Sequence, residues 1–177
     1  ARLVARGGDG TTISLEVETN RPLANLRSFP LTTSQTYDLR LVDAEGRTNK
    51  VPAQFVFEAQ KNRLPELRVA QPRGDTRPSP LEEVPFEGTV MDDFGVPAYG
   101  FAYTVAGRAP SLVELGGEVT GKEKRPFQHL LRLEELGLQP DDLVSWFLWA
   151  DDIGPDGQIR RTTGDLFFAE VRAFDEI

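Results

Sequence analysis

The stretch that most constrains the fold is residues 138–174, LQPDDLVSWFLWADDIGPDGQIRRTTGDLFFAEVRAF. Residues 143–150 carry no charge. Val144, Trp146, Leu148 and Ala150 fall on one parity, and Leu143, Ser145, Phe147 and Trp149 on the other. Residues 166–174 alternate more plainly, with Phe167, Ala169, Val171 and Ala173 on one side and Glu170 and Arg172 opposite. A period of two, rich in aromatic and β-branched residues, predicts two strands. The acidic, Gly- and Pro-bearing residues between them predict a loop, so the whole reads as a hairpin.

A smaller version of the same pattern lies near the beginning of the chain. Tyr37, Leu39 and Leu41 alternate with Asp38 and Arg40; Asp43 to Gly46 form a turn; Ala53, Phe55 and Phe57 then alternate with polar residues. Two similar hairpins about a hundred residues apart predict two tandem domains of one class. The polar stretch ending in Pro65 sets the expected boundary, giving domains 1–63 and 64–177. The first is expected to be a small or an incomplete sandwich. Further strands are predicted at residues 3–6, 11–19, 67–69, 84–90, 97–106 and 127–133, with a Gly turn at residues 7–10 and one helical turn after Glu134. Residues 107–125 read as turn-rich and polar. Short strands separated by turn signals predict an all-β chain of two immunoglobulin-like antiparallel β-sandwiches.

Composition narrows the function. The chain has no cysteine, which removes thiol catalysis, Cys-based zinc sites and disulfides together. A single histidine, His129, leaves little room for a triad or a multi-His metal site. A net charge of -8 argues against nucleic acid and anionic membranes as partners. The charge is unevenly spread: residues 1–65 hold 9 basic and 7 acidic residues (+2), residues 66–177 hold 11 and 21 (-10). No apolar run approaches the ~18 residues of a membrane span, so direct membrane insertion by this chain is not expected. The chain opens on Ala1, and its single methionine is Met91. It is therefore expected to be a piece of a larger protein.

The segment Leu138-x-Pro140-x-x-x-Val144-x-Trp146-x-Leu148-x-Ala150 resembles the fibronectin type III corner and the strand that follows it. Val144 stands where that family commonly has tyrosine. More loosely, Asp92-Asp93-Phe94-Gly95, Ala150-Asp151-Asp152 and Phe168-Ala169-Glu170-Val171-Arg172 resemble immunoglobulin-like repeats of large bacterial envelope proteins. These resemblances imply a non-catalytic extracytoplasmic module, in the periplasm or on the cell surface. Its role would be spacing, adhesion or binding of a protein partner or of neighbouring domains. Neither resemblance carries catalytic residues, and fold alone implies no activity.

Two candidate sites emerge. In an immunoglobulin-like sandwich, Asp92 and Asp93 would share a pole with Asp151, Asp152 and Asp156 of the hairpin loop. Calcium takes six to eight oxygens, often carboxylates on loops, so these five could hold it in a calcium-rigidified adhesive repeat; otherwise no cofactor is expected. The competing explanations are turn formation by Asp side chains and neutralisation by Lys61 and Arg63. The second candidate is a ligand or partner surface of Phe147, Trp149 and Phe168, as an accessory carbohydrate-binding module would use. Its competitor is burial of that face, since a nearly charge-free strand is normally covered on both sides. Gly116 to Lys122 matches a phosphate-loop spacing, but Glu123 stands where Ser or Thr should hold magnesium. Asp93-Phe94-Gly95 is a chance kinase tripeptide in β surroundings. The chain is not expected to be an enzyme.

Overall fold

The computed structural model describes residues 1–7 and 10–173. The expected turn residues Gly8 and Asp9, and the strand end at Phe174, lie outside the described residues. The structure is all-β, with antiparallel sheets and one short 3₁₀ turn at Leu133–Leu136. It divides into two compact units, Ala1–Lys61 and Asn62–Ile177, so Asn62 and Arg63 belong with the second.

The first unit contains β1 (Arg2–Ala5), β2 (Thr12–Ser14), β3 (Glu16–Val17), β4 (Ala24–Asn25), β5 (Gln35–Arg40) and β6 (Gln54–Phe57). Four of these form one sheet in the order β2-β1-β5-β6, while β3 and β4 form a separate ribbon. The single strand expected at residues 11–19 is thus divided. β1 is paired as far as Arg2↔Ser14, with Leu15 N–H donating to the Ala1 carbonyl; beyond that Glu16 and Val17 pair with Asn25 and Ala24 instead. The register puts Leu3, Ile13, Tyr37, Leu39 and Phe55 on one face and Arg2, Thr12, Asp38 and Gln54 on the other. Tyr37 packs edge-on against Phe29 and Phe57, at 6.2 and 5.7 Å between ring centroids. Among the described residues of this unit only Leu3 and Tyr37 are buried hydrophobics. At the predicted turn, Asp43 Oδ1 accepts the Glu45 and Arg47 N–H groups, and Gly46 takes the positive φ of 79° that closes it.

The second unit contains β7 (Glu66–Gln71), β8 (Glu83–Met91), β9 (Gly95–Val105), β10 (Ser111–Thr120), β11 (Arg125–Arg132), β12 (Leu143–Ile153), β13 (Ile159–Thr163) and β14 (Phe167–Glu170). One sheet is β11-β8-β7. The other is β10-β9-β12-β13, with β14 also paired to β12. The sheets meet face to face. Phe86 of β8 stacks on Phe101 of β9 at 5.1 Å and meets Trp146 of β12 edge-on at 4.6 Å; Tyr99 lies 5.6 Å from Phe127 of β11. Tyr99, Phe101, Val105, Val144, Trp146, Leu148 and Ala150 are all buried, on the parity the alternation predicts. The loop after β7 crosses to the other sheet. Thr76 forms a parallel bridge with Ala169, and Phe168 N–H donates to Asp75, so the outer edge of β14 is covered.

Two expectations are corrected here. Residues 107–125 are not simply turn and loop, because β10 runs through them. Its signature is masked by charges, by a register irregularity at Glu114/Gly116 and by Gly117, where any Cβ would collide with the Pro97 carbonyl. The residues expected to form the hairpin loop contain a strand, β13, paired with the end of β12, and the expected return strand at 166–174 is the shorter β14, paired with the beginning of β12. The loop is consequently short, at residues 154–158, and Asp151 and Asp152 lie within β12 rather than in the loop.

Candidate functional site

Three regions bear on function: the acidic pole of the second unit, the outer face of its larger sheet, and the apolar face of the first unit. At the pole, β12 and β13 set Asp151 opposite Arg161 and Asp152 opposite Arg160. Opposite charges facing across a strand pair stabilise it, so these two pairs favour a strand where the carboxylates alone suggest a loop. Successive residues point to opposite faces, which separates the pairs. Asp152 is completely buried; Arg160 Nε donates to its Oδ1 at 3.0 Å, and Nη2 pairs with its Oδ2. Asp151 is gripped at both oxygens by Arg161, at 2.7 and 2.8 Å. Each guanidinium is held more firmly protonated than an ordinary arginine, first by the hydrogen bond to its aspartate and then by its charge.

The other three predicted aspartates have separate tasks. Asp92 is buried, and its Oδ2 accepts the Phe94 and Gly95 N–H groups at 2.8 and 2.9 Å, shaping the β8–β9 turn. Asp93 Oδ2 accepts the Arg63 N–H at 3.3 Å. Asp156 Oδ1 accepts the Gln158 N–H at 3.1 Å inside the β12–β13 loop. Asp92, Asp152 and Asp156 lie within electrostatic reach of Arg160, whereas Asp151 shares the opposite face with Arg161 and Glu114. The structure therefore brings three of the five together around an arginine and places Asp151 elsewhere. Among the described residues no group of three or more His, Cys, Asp or Glu side chains is arranged to hold a metal. Arg63 takes part through its backbone N–H and carbonyl.

On the outer sheet face, Phe147 and Trp149 of β12 lie opposite Ala102 and Gly100 of β9. The small residues leave room for the large rings: a Cβ on Gly100 would stand 2.9 Å from the Trp149 ring. The Arg161 guanidinium covers the indole at 3.9 Å from its centroid, a cation–π contact fixed by the Asp151 pair. Trp149 is only 3% exposed, Phe147 is half-buried, and Phe168 is 37% exposed. As a ligand platform the trio is thus corrected in one member, since the Trp149 ring is shut beneath Arg161 by neighbours that let it lie flat. Its Nε1–H has no hydrogen-bond partner.

His129 lies on β11, its ring 4.7 Å from that of Phe101, and burial lowers its pKa below the ordinary imidazole value. Gly116 to Lys122 traverses the end of β10 and the next turn, where Glu123 accepts the Thr120 N–H; β11 follows it, not a helix.

The first unit presents the feature that sequence reasoning missed. Its apolar face lines a groove of about 930 Å³ bordered by Leu15, Val17, Leu23, Leu31, Leu41 and Phe55. Leu23, Leu31, Leu41 and Phe55 are each at least 40% exposed. A signal was present: an apolar set this dense exceeds what a domain of about 60 residues can bury. Of Leu23, Leu26, Phe29 and Leu31, Phe29 alone is half-buried, packed against Tyr37 and Phe57. No helix among the described residues is long and apolar enough to cross a membrane. In comparisons with known proteins, no family model matches the chain and no curated protein is significantly similar to it.

Proposed function

We propose that the chain is a pair of immunoglobulin-like, fibronectin III-like modules acting as a non-catalytic spacer and protein-binding segment of a larger extracytoplasmic bacterial protein. The fold reading is supported by the second unit's three-stranded sheet, its larger hairpin-built sheet, and the crossing of the segment after β7 to run parallel beside β14.

The observation that carries the binding role is the open apolar face of the first unit. Contiguous exposed apolar surface of this kind marks interaction sites in soluble proteins. The Arg160–Asp152 and Arg161–Asp151 pairs serve a spacer well, because they stiffen the joined ends of β12 and β13. A titration of the folded chain with an environment-sensitive apolar dye tests the reading. Saturable fluorescence enhancement is expected, lost when Leu23 and Leu31 are both replaced by Lys while the circular dichroism spectrum is retained. A native chain that does not bind the dye would sink it.

A further inference from the structure

The chain enters the second unit at Asn62, four residues before β7 begins, and this short lead-in is fastened at four points. Asn62 Nδ2 donates to the Ile153 carbonyl at the end of β12, at 2.6 Å. With one Nη2 hydrogen of Arg160 directed at Asp152, the other is shared between Asn62 Oδ1 and the Arg63 carbonyl, both 3.1 Å from the nitrogen. The Arg63 N–H donates to Asp93 in the β8–β9 turn. Arg160 can serve both residues because buried Asp152 orients its guanidinium from behind. Strand β7 itself lies at the edge of the three-stranded sheet, paired with β8 alone. The lead-in is bonded instead to β12 and, through Arg160, to β13, both in the larger sheet.

We infer that Asn62, Arg63, Arg160 and Asp152 form a clamp that secures the chain to the larger sheet before it enters the smaller one. An edge strand pulled from its free end peels one hydrogen bond at a time, each bearing the whole load in turn. The clamp intercepts that load ahead of β7 and shares it among several bonds, two of them from a guanidinium held by a buried carboxylate. Tension on the preceding chain therefore reaches both sheets together. The mechanical role rests on the spacer reading given above; the clamp itself does not.

The test uses the full chain, as wild type, Asn62→Ala and Arg160→Lys. Asn62→Ala removes two of the bonds and leaves the core untouched. Arg160→Lys keeps the charge beside Asp152 but loses the fork. Hydrogen exchange at the Arg63 amide should be slow in the wild type and accelerate about tenfold or more in each variant, as loss of charge-assisted hydrogen bonding implies. Single-molecule pulling from the two chain ends should show a lower rupture force for the second unit in Asn62→Ala, with its urea midpoint little changed. An unprotected Arg63 amide in the wild type, protection retained in both variants, or an unchanged rupture force would each overturn the clamp. None of these bears on dye binding, so the clamp and the binding role fail separately.

Discussion

The two units are built from the same materials and finished differently. Each has a central strand with alternating aromatic and aliphatic residues, β5 in the first and β12 in the second, and each pairs that strand on both sides. In the second unit a second sheet covers the apolar face: Phe86 meets Phe101 and Trp146 across the gap, and Phe167 stacks on Trp146 from the neighbouring strand. Among the described residues of the first unit, the apolar face of the sheet borders a short ribbon and the Phe29 segment. Tyr37 is sealed, while Leu31 and Phe55 remain in solvent. What separates a core from an open apolar face is thus the presence of a second layer, not the composition of the first. Surface left uncovered contributes little to stability and remains available to another molecule.

Substitutions can break this contrast, beginning where the effect is largest. Trp146→Ala removes a ring that is 1% exposed and packed at 4.6 Å on both Phe86 and Phe167. It should cost the second unit about 3–5 kcal/mol, seen as a lower urea midpoint in the transition of that unit. Tyr37→Ala, the corresponding change in the first unit, should cost about 3 kcal/mol, the lower end of the range for aromatic truncations, because the buried ring has few buried neighbours around it. Equal losses in the two units would erase the distinction drawn between them.

A smaller effect should follow pH in the second unit. His129 titrates below its ordinary value of 6.5 because burial disfavours the imidazolium. The unfolded chain therefore binds the proton more readily. The contribution is fully present above the unfolded value and is lost as pH falls through it toward the depressed folded value. The midpoint of the second unit should decline as pH falls below the ordinary imidazole value of 6.5, and His129→Gln should flatten that slope. An unchanged slope in His129→Gln would remove the histidine from the account. The smallest effect is expected at the groove: Leu31→Ser should alter the stability of the first unit by no more than about 0.5 kcal/mol while weakening dye binding. A larger loss would mean that Leu31 is part of a core.

The sites were legible to different degrees. The inward parity of β9 and β12 could be read directly, since alternation marks a half-buried strand whatever lies opposite. The positions of Asp151 and Asp152 could not be read from the carboxylates alone. Their strand character depends on Arg160 and Arg161 standing opposite, and the spacing about residues 154–158 was the available clue. Strand β10 escaped notice because its Gly116 and Gly117 resemble a turn until Pro97 and Tyr99 of the neighbouring strand are seen against them. The closure of Trp149 depends likewise on Gly100 and Arg161, which are distant in sequence from one another and meet only in the sheet.

The sequence by itself determined that this chain is all-β, which residues of its long central strand face inward, and where several of its turns fall. Those properties depend on side-chain periodicity and backbone preference, which act over a few neighbouring residues. Tertiary structure decided which aspartates meet an arginine, whether Trp149 is covered, how residues 62–63 are fastened, and that one apolar face is sealed while the other stays open. Each of these depends on groups brought together from far along the chain, and no local pattern encodes the partner that arrives.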